Sequence, residues 1–247
     1  MSCLVELIDV RVVRDERAIL DGVSLRVARG EAVAIIGRSG AGKTTAIKVV
    51  NGIVAPEAGT VRLDGQSLAA SDLVALRRRI GYVVQGVGLF PHRTVAENVG
   101  MVPRLLGWPQ ARIASAVESI LDSVGLEPAH YGGRYPHSLS GGEQQRVGIA
   151  RALAPEPDVL LCDEPFGALD PIVRRDLQEL FVRLRRERGT TMLFVTHDLA
   201  EALFVGDRVV LIDAGRVVAD SDAREFTSLA DPIVRRFVDA SGLGGEQ

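Results

Sequence analysis

Short runs rich in Val, Ile and Leu alternate with helical patterns over most of the chain, as in an α/β protein with a largely parallel sheet. The front departs from this rhythm. Residues 4–9, 23–28 and 32–36 read as three strands in close succession with no helix between them, and 60–63 as another. An antiparallel patch is therefore expected ahead of the α/β body. The apolar block 32–36 runs into glycines and then into a helical pattern at 44–50, and 80–85 reads as a strand ending in Gln85. From about 86 to 151 strand signals vanish and helical periods occupy 94–100, 110–124 and 144–154. This is a helical insert, its first helix opened by the capping box Thr94-x-x-Glu97. Strand logic resumes at 158–163, followed by a helix at 171–188, a strand at 191–196 and a helix at 199–205. Two short strands at 208–213 and 216–219, a helix at 231–240 and a frayed tail at 242–247 complete the pattern. With no repeat, low-complexity stretch or long linker, residues 1–247 read as a single domain.

Composition narrows the class. Of 247 residues 47% are hydrophobic and 25% charged, which excludes a disordered chain. Mean hydropathy is +0.16, yet no apolar run approaches the roughly 18 residues that span a bilayer. The first residues lack a basic stretch followed by an apolar one, so a cytoplasmic location is expected. A net charge of −3 argues against bulk nucleic-acid binding, and the arginine runs 77–79 and 183–188 read as solvated faces. Cys3 and Cys162 have neither metal-ligand spacing nor a disulfide framework.

The sharpest chemical signal is Gly37-Arg38-Ser39-Gly40-Ala41-Gly42-Lys43-Thr44 between a strand and a helix. A phosphate chain needs backbone amides close by, and glycine lets the main chain curl that tightly. The helix dipole favours the negative charge, Lys43 supplies a compact cation, and the Thr44 hydroxyl is a Mg²⁺ ligand, with Thr45 beside it in the same cradle. Lys43 and Lys48 are the only lysines in a chain that otherwise uses arginine. The plain alternative is a glycine-rich turn carrying a surface lysine. A second signal is the apolar strand that ends in Asp163 and Glu164, at the carboxyl end where parallel sheets bind ligands. Asp163 suits Mg²⁺ and Glu164 an attacking water, against the bland reading of a solvated acidic turn before Pro165. Cys162 between the strand and these acids reads as a small core hydrophobe. Third, Leu139-Ser140-Gly141-Gly142-Glu143-Gln144-Gln145-Arg146 carries a capping box from Ser140 to Glu143, and its two glycines leave the helix start open as a second anion site.

In this combination and order the sequence resembles the ATP-binding subunit of an ABC transporter over nearly its whole length. The glycine loop matches the Walker A motif, the Asp163–Glu164 strand the Walker B motif, and LSGGEQQR the signature motif. The resemblance implies an α/β fold with a P-loop NTPase core, a mostly parallel sheet, an N-terminal antiparallel β subdomain and an inserted α-helical subdomain at about 86–151. It implies ATP and Mg²⁺ as cofactors, with Lys43, Gln85, Glu164 and His197 in catalysis and Thr44, Gln85 and Asp163 around the metal. Gln85 becomes the Q-loop residue, Asp170 in Ala168-Leu169-Asp170 the D-loop aspartate, and His197 the switch histidine. Two copies are expected to pack head to tail, Lys43 of one facing Ser140, Gly141 and Gly142 of the other, and to drive an integral-membrane permease. A solute-binding protein is then an indirect partner, nucleic acid is not one, and the chain sits peripherally on the cytoplasmic face of the inner membrane.

One departure concerns the base. The family places an aromatic ring against adenine, whereas Val13-Arg14-Asp15-Glu16-Arg17 has none; Arg14 is the candidate replacement, through its planar guanidinium. Residues 80–92, 95–99, 102–108 and 134–142 resemble the ATPases of glycine betaine, choline and carnitine importers. Other importers, for amino acids or phospholipids, are the alternative. Soluble ABC ATPases of DNA repair or translation are disfavoured by the lack of a coiled-coil insertion or second nucleotide unit, and a simple P-loop kinase by LSGGEQQR. No separate C-terminal regulatory domain is expected, since the chain runs only about fifty residues past His197. Residues 87–91 are the candidate greasy surface for the permease.

Overall fold

A computed structural model describes residues 2–70, 72–167 and 169–243. Residues 244–247 of the expected tail and Ala168 of the expected D-loop lie outside them. Two sheets organise the chain. Strands β1 (Cys3–Arg14) and β2 (Arg17–Ala28) form a long antiparallel hairpin. Its two-residue turn, Asp15 and Glu16, is left-handed at both positions, the twist that suits a tight hairpin. The third strand of the front, β3 (Ala32–Ile36), leaves this patch and lies in the second sheet. Strands β4 (Ala58–Leu63) and β5 (Gln66–Ser67) complete the first, in the order β2-β1-β4-β5. The second sheet adds β6 (Ile80–Val83), β7 (Val159–Asp163), β8 (Thr191–Val195), β9 (Arg208–Asp213) and β10 (Arg216–Asp222), in the order β10-β9-β3-β8-β7-β6. All its pairings are parallel except β9 with β10.

Strand β1 outruns the expected residues 4–9 because a bulge interrupts the alternation that marks a strand. Asp9 is left-handed, its amide donates to the Ser24 hydroxyl, and the register with β2 shifts between Leu7 and Val10. Beyond it Val10 and Val12 return to the core. Gly59 of β4 crosses this bulge so closely that a Cβ would lie 2.4 Å from the Asp9 carbonyl oxygen. Strand β6 stops two residues short of Gln85, since Gly86, Val87 and Gly88 all turn left-handed.

The helices are α1 (Lys43–Val50), α2 (Leu73–Arg77), α3 (Val95–Val99), α4 (Met101–Leu105), α5 (Gln110–Ser123), α6 (Pro128–Tyr131), α7 (Gly141–Leu153), α8 (Pro171–Arg188), α9 (Leu199–Val205) and α10 (Pro232–Ala240). Helices α3 to α7 make up the insert. Every residue of β3, β7 and β8 is buried, and alternate side chains serve two cores. Ala34, Cys162 and Phe194 face the insert, α8 and α9. Ile35, Leu161 and Leu193 face α1 and the antiparallel sheet. A sheet covered on both sides raises mean hydropathy with no need of a membrane span, and among the described residues no helix is long and apolar enough to cross a bilayer. Cys162 is the core hydrophobe expected, its thiol pushed well up in pKa by burial.

The insert is pinned to the segment after Gln85 by Asn98, which is fully buried on α3. Its side-chain oxygen accepts from the Phe90 amide at 2.8 Å, and its nitrogen donates to the carbonyls of Phe90, Arg93 and Thr94 at 3.2, 3.1 and 3.0 Å. Truncation removes the Asn98 partner of the Phe90 amide and the Arg93 carbonyl, while the Phe90 and Thr94 carbonyls keep the amides of Arg93 and Asn98. Asn98→Ala is expected to cost about 2–4 kcal/mol, read as a lower urea midpoint with an unchanged slope.

Candidate functional site

The site forms where the parallel strands end. The backbone leaves β3 at Ile36 and must turn in a space walled by other main chain. A Cβ on Gly37 would lie 2.1 Å from the Ile212 carbonyl oxygen, and one on Gly42 2.5 Å from that of Ile19. Gly42 sits at φ 103 and is the N-terminal cap of α1. Both positions therefore require glycine, for room at the first and for room and left-handedness at the second. Lys43 is 7% exposed and folds back over the loop, its ammonium donating to the carbonyls of Gly37 at 2.8 Å and Arg38 at 3.0 Å. Burial lowers its pKa, while the charges of Glu164 and Asp163 act to raise it.

The Thr44 hydroxyl donates to Asp163 Oδ1 at 2.9 Å, bridging α1 to the end of β7. Burial raises the Asp163 carboxyl, opposed chiefly by this hydrogen bond. One carboxylate and one hydroxyl are the donor set of a hard dication that completes its shell with water and substrate phosphate. No group of three or more His, Cys, Asp or Glu able to hold a metal occurs among the described residues. The residues thus fit Mg²⁺ arriving with a phosphate chain and do not form a standing all-protein cage.

Glu164 departs from the strand with φ 49, held by its amide donating to Val195 O at 3.0 Å and its carbonyl accepting from Gly167 N at 3.2 Å. Left-handed, it turns its carboxylate to the same side as Asp163, so adjacent residues reach one site. Gln85 Nε2 donates to one of its oxygens at 3.1 Å, and His197 Nδ1 lies 3.6 Å from the other. Ser39, Gly40, Ala41, Gly42, Lys43, Thr44, Thr45, Gln85, Glu164 and His197 line one open cavity of about 500 Å³ together with Ile19.

Other expected residues lie elsewhere. Arg14 is exposed at the tip of the first hairpin and does not line this cavity; Ile19 of β2 supplies its apolar wall. Only the alternation of β2, once its start at Arg17 is known, points to Ile19. Arg38 contributes its carbonyl. Ser140, Gly141, Gly142 and Asp170 are also outside the cavity. Ser140 caps α7 by the expected box, accepting from Glu143 N at 3.3 Å while its own amide donates to Glu143 at 2.7 Å. Of the two glycines only Gly141 is open; a Cβ on Gly142 would lie 2.4 Å from Val173 Cγ1, which corrects the expectation that both leave the helix start free. Asp170 caps α8, accepting from the amides of Ile172 and Val173 at 3.1 Å each. The apolar stretch 87–91 is only partly outward: Val87 and Leu89 are half-buried, and Phe90 is 39% exposed.

The fold and this constellation define an α/β protein of the phosphate-loop class. Comparison with known proteins makes it specific. The ABC transporter family matches residues 20–167. The choline transport ATP-binding protein of Bacillus subtilis is 46% identical over 220 residues, 89% of this chain and 58% of that protein. The glycine betaine uptake system ATP-binding protein of Escherichia coli is 44% identical over 230 residues, covering 93% and 74%. A post-hydrolysis dimer of an ATP-binding cassette, bound to ADP and Pi, superposes with a TM-score of 0.79 at 33% identity over 90% of this chain and 99% of that one. The chain belongs to the ABC transporter family. It spans about three fifths of the choline and the glycine betaine/carnitine/choline relatives from Bacillus subtilis, 58% and 60% of their lengths.

Sequence reasoning missed Glu201, buried on α9 four residues after His197. Its carboxylate accepts from the Thr196 hydroxyl and lies 3.8 Å from Arg174 Nε. Burial holds its pKa above the ordinary 4.5, with the Thr196 hydrogen bond opposing. A carboxyl raised on folding contributes most stability in acid and loses that contribution as pH rises through its folded value. Glu201→Gln is therefore expected to melt higher than the parent at about pH 8, the gap closing towards about pH 4, as followed by thermal unfolding across that range.

Proposed function

We propose that this chain is the ATP-hydrolysing subunit of an importer for quaternary-amine osmoprotectants, working as one nucleotide-binding domain with Mg²⁺. The observation that carries the hydrolytic part is Glu164 held between Gln85 and His197, at the mouth of the cavity that Lys43 and Thr44 floor. The loop amides and the helix start favour the phosphate chain, Lys43 neutralises charge on its outer end, and Ile19 meets the apolar base. Glu164 accepts a proton from the attacking water or orients it, and its carboxylate is steadied from both sides by Gln85 and His197. Thr44 and Asp163 would hold Mg²⁺, which would supply electrostatic stabilisation to a bound phosphate chain.

The solute class rests on relatives named for choline, glycine betaine and carnitine transport. Methionine import ATP-binding proteins at 45% and 40% identity support the second reading, an amino-acid importer; copurification of the companion permease from membranes separates the two. A head-to-tail pair is supported by Ser140 and Gly141 being exposed and away from their own chain's cavity, and by the dimeric cassettes that this fold resembles. The same reading puts the chain peripherally on the cytoplasmic face of the membrane, under a permease that a solute-binding protein serves.

Glu164→Gln is expected to keep ATP binding while phosphate release falls about a hundredfold or more, with a dimer trapped in the presence of ATP. Unchanged turnover removes Glu164 from the chemistry. Ser140→Arg, remote from its own cavity, is expected to abolish hydrolysis while each chain still binds ATP in a filter or fluorescence assay. Retained hydrolysis by that variant in the assembled complex rules out a shared site.

A further inference from the structure

The backbone immediately after Gln85 turns left-handed at three consecutive residues. Gly86, Val87 and Gly88 are left-handed in succession, with φ 82, 62 and 57. Glycine takes this conformation freely, but Val87 is β-branched and does not. Something must hold it there. Arg151, near the end of α7, donates from Nη2 to the Val87 carbonyl at 3.0 Å and from Nη1 to the Gly88 carbonyl at 2.7 Å. A planar guanidinium is pre-organised for such a two-pronged contact. Three residues earlier on the same helix Gly148 makes room, since a Cβ there would lie 3.2 Å from Val87 Cγ1. The other end of the segment is tied by Asn98 to both the amide and the carbonyl of Phe90.

Residues 86–90 are thus fastened to the insert at both ends, whereas the side chain of Gln85 reaches across to Glu164 at the sheet end. We propose that Arg151 is a positioning residue for Gln85. Its fork fixes the left-handed turn at Val87 so that Gln85 travels with α7, and a displacement of the insert is delivered to the Glu164 carboxylate. The proposal rests on the reading that Glu164 acts in hydrolysis, because only then does the placement of Gln85 govern turnover. Arg151 itself does not line the cavity, so its effect belongs in turnover and not in nucleotide affinity.

The test compares Arg151→Ala and Arg151→Lys with the parent as full chains, using amide hydrogen exchange by mass spectrometry and steady-state ATPase kinetics. In Arg151→Ala, exchange within 84–90 is expected to accelerate about tenfold or more, as for loss of hydrogen bonds from a charged donor, with peptides of α1 and β7 unchanged. The kcat is expected to fall about tenfold with KM for ATP within about twofold. Lysine keeps the charge without the fork, and Arg151→Lys is expected to show the same pattern, with its melting temperature near that of the parent. Parental exchange at 84–90 in both variants overturns the proposal. So does faster exchange spread through α7 and the sheet, which assigns Arg151 to packing alone, or a raised KM with kcat intact. If the parent itself shows no ATP turnover, the hydrolytic reading fails, while loosening confined to 84–90 still establishes the clamp.

Discussion

The end of β3 is the constraint on which the site depends. Packed between β8 and β9 and buried on both faces, this strand cannot shift, so the point where the chain must turn is fixed in space. The Ile212 and Ile19 carbonyls crowd that point, and the chain passes only because residues 37 and 42 carry no side chain. Lys43 then closes the turn from inside. Its ammonium is satisfied by two carbonyls of the loop it follows, so the charge that suits a phosphate also shapes the cradle. Without the glycines the loop meets neighbouring backbone, and without the lysine the Gly37 carbonyl loses its ammonium donor while the Arg38 carbonyl keeps only the Ala41 amide.

Strain gathers around the same edge. Glu164 and Val87 are non-glycine residues in the left-handed region, and both flank groups that the hydrolytic reading requires. Each is held by contacts from other parts of the chain. Glu164 is anchored through its main chain to β8 and Gly167, Val87 through Arg151 on α7. Backbone held in this way costs stability locally and persists because its surroundings over-determine it. The buried carboxylates tell a parallel story. Asp163 and Glu201 are both pushed up by burial, so the folded chain keeps groups that its stability alone does not favour.

Much of this was legible in the sequence because it is written in local chemistry. Lys43 to Thr44 after a glycine loop, the acids at 163 and 164 after an apolar strand, and the boxes at Thr94 and Ser140 each carry their signal within a few residues. The strands β3, β7 and β8 show as unbroken apolar runs because both their faces are covered. What stayed hidden depends on distant partners. Asp9 broke the period of β1 through a bulge that involves Ser24 of another strand. Ile19 looks like any half-buried strand residue until the glycine loop lies against it. Asn98 and Arg151 have unremarkable helical neighbourhoods, and their targets at 87–90 become visible only when the insert folds back. Gly142 reads as openness and proves to be a close approach, because Val173 lies 31 positions away in sequence.

That close approach joins two parts of the chain that a local reading treats separately. Helix α7 begins at the exposed Ser140 and Gly141, helix α8 at Asp170, and neither start lines the cavity of its own chain. Gly142 lets Val173 pack directly on the first turn of α7, while Asp170 accepts from the amide of that same Val173. The two helix starts therefore form one packed unit. Arg174 extends it, donating to the Leu169 carbonyl at 3.1 Å and lying 3.8 Å from Glu201. Ser140 and Asp170 are thus linked through the packing of Val173 on Gly142, and Arg174 lies beside Glu201, which accepts from Thr196, the residue before His197. In the head-to-tail reading, a second copy presses on the surface that these two helix starts share.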